Sequence, residues 1–399
     1  MQLYISLPKY LTSSFSSITI KPLIMKQERS VQEHSYASMA RIITEYRVLS
    51  KANVTFSLGQ QLEIKSTDIL NEAFSPHPFS SALKKTAMDF CEKYGIWLPE
   101  SEHYITCAMY LFPGAPIFRI LPIIKNNAID FYLNDVMGRE VFCQLTSENQ
   151  KFYAEIKHRM SNLAECFQQH RNSHPVEIAN LETLVEMEYI SPASWFAEFI
   201  ELYCYHIAIA HRDGNSIGMN YIQSLEEYIN QRSHISGMPH TVKLIEFGYG
   251  TFLHREELDV SGVMEDFEAM NKIVSLIGCL MNDLFSFEKE VIDNRSDSNL
   301  ISILMLNDAK LSLSEAIYSG CGVVKDLLMQ YSSLFKRLSR VESDSDSASF
   351  LAFQEKLKIY LQGVKRCVQA CWTWQVSSMR YKRVRSIWKE TQLAEALPA

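Results

Sequence analysis

Three oxygen-bearing side chains recur at intervals of four residues in one stretch of this sequence. Asn282, Ser286 and Glu290 all lie in the segment Met281–Glu290. If this segment is an α-helix, each step of four residues drifts only about 40° around the axis, so the three side chains share one face. An amide oxygen, a hydroxyl and a carboxylate are hard ligands that suit Mg²⁺ and leave positions for water or phosphate oxygens. The spacing therefore predicts a magnesium site.

The side chains around this polar stripe are strongly apolar: Leu280, Met281, Leu284, Phe285 and Phe287. A polar stripe in so apolar a helix needs partners if it is buried. A bare Asn-x-x-x-Ser-x-x-x-Glu pattern should arise by chance in roughly one chain in ten of this length. The Asp after the Asn and the Lys before the Glu lower that chance to roughly a few in ten thousand. We therefore favour a functional site over a solvated helix face.

The elements that would position this stripe are helices, because helical periodicity dominates the chain from about residue 80 onward. Only 14 glycines and 12 prolines are present among 399 residues, so a many-stranded sheet is not expected. The pattern predicts six long helices, at residues 151–170, 183–211, 217–231, 263–291, 311–339 and 347–378. Without an internal repeat or a clear linker, we predict an all-α, single-domain helical bundle over residues 61–399, preceded by an N-terminal extension of uncertain structure at 1–60.

Composition excludes several classes of protein. The net charge of −7 argues against a protein that binds nucleic acid or anionic membranes through a general basic field. Nine cysteines occur without a Cys-x-x-Cys pair, which is typical of reduced thiols in the cytoplasm. No apolar run has membrane-spanning length, so we expect no stable membrane insertion. The first 27 residues contain no acidic side chain and are interpreted as a weakly ordered leader.

The segment Asn282-Asp283-x-x-Ser286-x-x-Lys289-Glu290 resembles the second metal-binding motif of microbial class I terpene synthases. The resemblance implies an all-α bundle around a central apolar cavity and an enzyme that ionises and cyclises a linear isoprenyl diphosphate. It implies that the Asn, Ser and Glu bind one Mg²⁺ and that Lys289 contacts the diphosphate. Three Mg²⁺ ions are expected in total, and Mn²⁺ is a possible substitute.

The resemblance also implies an acidic motif on an earlier helix, and the candidate is the segment from Asp130 to Glu140. If Asn134 and Asp135 occupy the leading acidic pair, the third acidic position is Gly138. If Asp135 leads instead, Glu140 takes the later acidic position and the second position is a valine. Because Asp135 is retained in both registers, we predict that it bridges two metal ions. Asp130, Asn134 and Glu140 are secondary candidates for metal ligands.

A third segment, Tyr228–Gly237, resembles the diphosphate sensor of the family, in which an Arg precedes a break in a helix. A guanidinium suits phosphate oxygens, so Arg232 is predicted to bind the diphosphate. Gly237 and Pro239 interrupt the helix and expose backbone groups. The resemblance implies that Ser236 is the effector residue, whose main-chain carbonyl responds to diphosphate binding. It implies that Ile235 is the linker residue between Arg232 and Ser236.

The fourth match is Arg380-Tyr381, which resembles a pair that hydrogen-bonds the diphosphate when the site closes. Together the four ordered motifs cover roughly residues 70–385. We expect closure to order the loop at 293–299 and to bring Arg380 and Tyr381 inward.

Ionisation of an allylic diphosphate requires charge neutralisation and an apolar, aromatic cavity rather than a nucleophile. The aromatic side chains that lie near the motifs in sequence are the candidate cavity lining: Phe131, Tyr132, Tyr205 and Trp374. His206 and His211 are interpreted as structural residues on a packed helix.

Two alternatives stay open. A chain-elongating prenyltransferase shares this chemistry but ordinarily has two Asp-rich motifs, and a class II cyclase would need an Asp-x-Asp-Asp motif, which is absent. The incomplete acidic motif keeps open a non-catalytic helical protein that binds isoprenoids or partners. Either a monomer or a homodimer is compatible with the sequence.

Overall fold

A computed structural model of the chain describes residues 20–64, 72–78, 80–98, 101–138, 141–163, 174–341 and 348–394. The described residues contain sixteen α-helices. The first eight are α1 (Ile20–Lys51), α2 (Leu58–Gln61), α3 (Ser80–Lys93), α4 (His103–Leu111), α5 (Ile117–Met137), α6 (Ser147–Ser161), α7 (Pro175–Tyr189) and α8 (Ala193–Ala210). The other eight are α9 (Ser216–Met219), α10 (Leu225–Ile235), α11 (Met238–Tyr249), α12 (Arg255–Val260), α13 (Met264–Phe287), α14 (Leu300–Asn307), α15 (Leu313–Leu338) and α16 (Ala348–Ser377).

Strand content in the described part of the chain is limited to two short parallel strands, β1 (Arg383–Val384) and β2 (Gln392–Leu393). The all-α prediction is therefore confirmed. None of the described helices is long and apolar enough to cross a membrane.

Helix α13 is the centre of the bundle. Its residues from Val274 to Met281 are all buried, so the helix is covered on every side. It packs against α10, α11, α15 and α16. A π-helical turn (Glu288–Asp293) continues the helix. The predicted helix at 263–291 is thus an α-helix that ends at Phe287 and a wider turn that carries Glu290.

Two predicted helices are interrupted where the local chemistry favours a break. The prediction of one helix at 183–211 is wrong, because Pro192 cannot continue a helix and instead caps α8. The predicted helix at 217–231 is divided because Asn220 adopts a left-handed conformation. Ser224 and Glu227 then form a capping box that starts α10. The predicted helices at 311–339 and 347–378 correspond closely to α15 and α16.

Both ends of the described chain pack onto the bundle. In α1, Ser35 donates to Asp297 at 2.8 Å and Tyr46 donates to Glu288 at 2.7 Å. The C-terminal segment is held through Ile387, whose carbonyl accepts a hydrogen bond from the Phe56 amide at 2.7 Å. Helix α1 belongs to the segment predicted as an uncertain extension, and the domain boundary at residue 60 stays a prediction. Residues 1–19 of the predicted leader lie outside the described residues.

Candidate active site

One cavity opens between seven helices, α4, α5, α8, α10, α11, α13 and α16, and the turn that follows α16. Its empty volume is about 1120 Å³, which includes the open mouth. The predicted site residues that line it are Asp130, Phe131, Asn134, Arg232, Ile235, Ser236, Asn282, Ser286, Lys289, Glu290, Trp374, Arg380 and Tyr381. Four sequence motifs therefore converge on one cavity.

The predicted metal stripe faces this cavity. Asn282 and Ser286 project from α13, and Glu290 projects from the π turn. A π turn rotates the chain less per residue than an α-helix does, so it opposes the drift of the stripe. The Ser286 hydroxyl is buried and has no hydrogen-bond partner in the part of the chain that the structure describes. A buried hydroxyl beside an amide oxygen and a buried carboxylate fits a hard cation.

Asn282 connects three parts of the site. Its amide nitrogen donates to the Tyr381 hydroxyl at 2.8 Å and to Gln375 Oε1 at 3.1 Å. Its amide oxygen accepts from Arg232 Nη2 at 3.1 Å. The amide oxygen of Asn282 is thus oriented by residues from α10, α16 and the turn after α16.

A buried ion pair holds Arg232 in place. Arg232 Nε donates to Asp283 Oδ1 at 2.8 Å, and both side chains are almost fully buried, with 4% and 0% exposure. Asp283 also accepts from the Tyr228 hydroxyl at 2.5 Å and from the Leu300 amide at 3.0 Å. Sequence reasoning treated Asp283 only as part of a motif and missed this role. The available signals were an acid beside a predicted metal ligand and an Arg 51 residues upstream.

Asp135 lies at the C-terminal end of α5, where its carboxylate contacts the Arg380 guanidinium and the His103 imidazole. Arg380 Nη2 donates to Asp135 Oδ1 at 2.8 Å, and His103 Nε2 lies 3.2 Å from Oδ2. Burial acts to raise the pKa of Asp135, but the His103 hydrogen bond and the Arg380 charge hold that pKa well below its usual range. Asp135 is not among the residues that line the cavity. The sequence analysis did not identify His103 as a neighbour of Asp135.

Arg380 and Tyr381 join the two predicted metal motifs. They occupy a 3₁₀ turn after α16, where Arg380 bonds to Asp135 on α5 and Tyr381 bonds to Asn282 on α13. Because two adjacent residues reach both motifs, Asp135 and Asn282 flank the same small region. Lys289 also interacts electrostatically with Asp135. Three cationic side chains, Arg232, Lys289 and Arg380, therefore line one cavity.

The other candidates in the acidic segment have different surroundings. Asp130 and Asn134 lie one turn apart on α5 and both line the cavity. Asp130 Oδ1 lies 2.6 Å from His206 Nε2. Burial would raise the pKa of Asp130, but the charge and hydrogen bond of His206, together with the neighbouring His240 and His211, lower it to about 2. Glu140 lies outside the described residues.

The helix break after Arg232 has the expected local structure. Ile235 and Ser236 line the cavity, and the Ser236 hydroxyl donates to the Ser233 carbonyl at 2.7 Å. Gly237 caps α11 with φ of 74° and does not line the cavity. A Cβ atom at this position would lie 2.6 Å from Cε1 of His240, so only glycine fits without displacement.

The aromatic wall comprises fewer residues than the sequence suggested. Phe131, Trp374 and Tyr381 line the cavity, with 6.0 Å between the ring centroids of Phe131 and Trp374. Tyr132 is buried but does not line the cavity, because it lies on another face of α5. The prediction for Tyr205 is wrong, because its side chain is 51% exposed and packs against His234.

His206 and His211 line the cavity, although the sequence placed them on a packed helix. His206 lies on the inner face of α8, and His211 follows the last residue of that helix. Their sequence spacing gave no direct indication of a position beside Asp130.

The loop at 293–299 was predicted to become ordered on closure; its residues 296–299 are buried in this structure, whereas Asp293 and Arg295 are exposed. Asp297 accepts hydrogen bonds from the Ser35 hydroxyl at 2.8 Å and from the Ser216 amide at 3.0 Å. Burial raises the pKa of the Asp297 carboxyl, although these hydrogen bonds oppose the rise. Ordering of the loop on ligand binding stays a prediction.

Comparison with known proteins identifies the family. Residues 131–330 match the sequence profile described as "Terpene synthase family 2, C-terminal metal binding". The chain belongs to this terpene synthase family. The matched region includes the predicted acidic segment from Phe131 onward, Arg232 and the Asn282–Glu290 stripe, whereas Asp130 lies just before it. The family is described as metal binding.

Individual relatives are distant. The chain is 21% identical over 273 residues to a (+)-T-muurolol synthase from Streptomyces clavuligerus, which is described as cyclising (2E,6E)-farnesyl diphosphate. That alignment covers 66% of this chain and 63% of the relative, so the chain spans less than two thirds of its length.

Solved structures share the fold. A linalool/nerolidol synthase from Streptomyces clavuligerus, solved with 2-fluorogeranyl diphosphate, has a TM-score of 0.62 at 15% identity. The comparison covers 77% of this chain and 97% of that one. Germacradien-4-ol synthase from Streptomyces citricolor has a TM-score of 0.62 at 16% identity, with coverage of 76% and 96%. The fold is therefore that of class I terpene synthases.

Proposed function

We propose that this protein is a class I terpene synthase, a carbon–oxygen lyase that ionises a linear isoprenyl diphosphate, cyclises the cation and releases diphosphate. The observation that carries the proposal is the pair of contacts made by Arg380 and Tyr381. These adjacent residues connect Asp135 and Asn282, which belong to the two predicted metal motifs. An apolar, aromatic-lined cavity lies beside them.

The residues of the Asn282–Glu290 stripe fit a divalent cation. Asn282, Ser286 and Glu290 would hold one Mg²⁺, since the Ser286 hydroxyl is buried without a hydrogen-bond partner among the described atoms. Asp135, with Asn134, would hold the others of three ions, and Mn²⁺ is a possible substitute. When bound, such ions supply positive charge that stabilises the departing diphosphate.

The side chains of the protein supply the remaining positive charge. Arg232, Lys289 and Arg380 would bind diphosphate oxygens, and the Tyr381 hydroxyl would donate a further hydrogen bond. Arg380 is engaged by Asp135 in this structure, so it must exchange that carboxylate for the diphosphate. Ser236 would present its main-chain carbonyl to the substrate beside Ile235, while Gly237 permits the break in the helix.

The cavity wall would fold the chain of the substrate and keep water from the cation. Phe131 and Trp374 present ring faces that can stabilise passing positive charge. A relative cyclises (2E,6E)-farnesyl diphosphate, so we propose the farnesyl (C15) substrate first and the geranylgeranyl (C20) substrate second. The cysteine thiols of the described residues form no disulfide there, which supports the reducing, cytoplasmic location that we propose.

A matched pair of variants in one helix tests the proposal. Ser286→Ala removes the buried cavity hydroxyl, whereas Ser275→Ala removes a hydroxyl on α13 that bonds to the Asn271 carbonyl instead. With farnesyl or geranylgeranyl diphosphate and Mg²⁺, we expect Ser286→Ala to lower diphosphate release at least about tenfold. Ser275→Ala should retain it. Mass spectrometry of the organic extract would identify the products.

One observation favours a second candidate, a non-catalytic isoprenoid-binding protein. Gly138 occupies an acidic position of the first motif in one register. Mg²⁺-dependent binding of both diphosphates without release from either would support this candidate and refute the synthase.

A further inference from the structure

A cluster of nitrogen and oxygen ligands lies in the cavity wall, separate from the Asn282–Glu290 stripe. Asp130, His206 and His211 each offer one ligand atom, and these atoms all lie within 4.8 Å of one another. Asp130 comes from α5, His206 from α8, and His211 from the residue that follows α8. Three side chains from two different elements therefore converge on one point.

The buried imidazole ring of His211 lacks a hydrogen-bond partner among the described atoms. Its side chain is 2% exposed, and neither ring nitrogen has a hydrogen-bond partner among the described atoms. An imidazole buried in this way loses its hydrogen bonds to water without replacement, which costs free energy. The Lys157 ammonium bonds to the His211 carbonyl at 3.3 Å, which holds the residue at this position. A ligand in the cluster would satisfy the ring.

His206 is oriented as metal-binding histidines usually are. Its Nδ1 lies 2.9 Å from the His234 carbonyl oxygen, so Nδ1 carries a proton and donates it. A ring whose Nδ1–H is bonded to a carbonyl presents Nε2 as its ligand atom. Nε2 points to Asp130 at 2.6 Å.

An imidazolium–carboxylate pair between His206 and Asp130 is the simplest alternative. That pair accounts for two members of the cluster but leaves both nitrogens of His211 without a partner. A divalent cation in place of the proton on His206 Nε2 would bind all three side chains and release that proton. A bound cation therefore gives a partner to all three side chains, including the buried His211 ring that the ion pair leaves without one.

We propose that Asp130, His206 and His211 form a binding site for a d-block divalent cation, distinct from the magnesium site of the proposed function. Two imidazoles and one carboxylate are ligands that suit Zn²⁺, Mn²⁺, Fe²⁺ or Co²⁺, whereas Mg²⁺ prefers oxygen. With three protein ligands, the cation keeps an open position for water on the side of the cavity. This assignment removes Asp130 from the predicted magnesium ligands.

Cobalt(II) binding in excess Mg²⁺ tests the site without substrate, so the result does not depend on the proposed function. The purified full chain should bind one Co²⁺ that gives visible absorption bands and survives millimolar Mg²⁺. His211→Leu should weaken this binding at least about tenfold, because even the loss of an outer-shell partner has an effect of that size. Glu290→Gln, a change in the other site, and His254→Gln, a change at an exposed histidine, should leave it unaltered.

Electron spin echo spectroscopy of bound Mn²⁺ supplies a second measurement. Imidazole nitrogen modulates the Mn²⁺ signal, whereas the ligand oxygens of Asn282, Ser286 and Glu290 do not. We expect nitrogen modulation in the wild type and in Glu290→Gln. The modulation should be weaker in His211→Leu, which retains only the His206 imidazole, with circular dichroism confirming that the variants fold. Metal binding that Mg²⁺ abolishes, or that His211→Leu leaves unchanged, would overturn the proposal.

Discussion

The buried pair of Arg232 and Asp283 allows stability and catalysis to be separated. Both side chains are almost fully excluded from water, and Asp283 also accepts hydrogen bonds from Tyr228 and Leu300. Two perturbations act on this pair. Asp283→Asn removes the negative charge but keeps an acceptor, and Arg232→Met removes the positive charge but keeps most of the volume.

The magnitude follows from the burial. Removing one partner of a buried ion pair costs about 3–5 kcal/mol, because the other charge is left in a low-dielectric environment. We expect Asp283→Asn to cost about 4 kcal/mol and Arg232→Met about 3 kcal/mol, since Asp283 retains the donors of Tyr228 and Leu300. The double variant leaves neither charge buried alone, so its loss should fall below the sum by at least about 2 kcal/mol.

Urea unfolding at pH 7 without Mg²⁺ measures the four free energies of the cycle. Diphosphate release from the allylic substrate, measured on the same samples, gives activity. The double variant should regain stability relative to Asp283→Asn and yet stay inactive, because Arg232 is proposed to bind the diphosphate. Losses that add to within about 0.5 kcal/mol would show that the two residues are not coupled, and the reasoning would be wrong.

Three further predictions concern stability. Burial and a neighbouring charged histidine lower the pKa values of His211 and His240 to about 3, against about 6.5 when unfolded, so stability should fall as pH drops below 6.5. At pH 5.5 the two account for a slope of about 2.5 kcal/mol per pH unit in urea titrations of the metal-free protein in EDTA, and a flat profile in that range would contradict it. Gly237→Ala should cost about 2–4 kcal/mol in thermal unfolding because φ is positive and His240 is too close, whereas Gly322→Ala, with open space around its Cβ, should not destabilise; equal effects would refute this. Ser35→Ala removes a hydrogen bond to a buried carboxylate and should cost about 1.5–3 kcal/mol in urea unfolding, and an unchanged midpoint would show that the contact is not stabilising.

Local order could be inferred from the sequence because helical periodicity acts over a few residues. Asn282 and Ser286 share the cavity because residues four apart in α13 lie on one face, and the π turn after α13 keeps Glu290 on the same side. The long helices α15 and α16 followed in the same way. Pro192 by itself also indicates a helix break within 183–211.

Contacts between distant segments were decided by the tertiary structure. Arg380 and Asp135 are 245 positions apart, and their pairing depends on how α16 ends relative to α5. Tyr205 and His206 are neighbours in α8, yet one faces solvent and the other faces Asp130. Periodicity gives the relative phase of residues within one helix, but the rotation of each helix against the others comes from packing across the whole core. For that reason the sequence by itself determined the four motifs and their order, whereas only the packed bundle decided which side chains meet Asp135, Arg232 and Asp130.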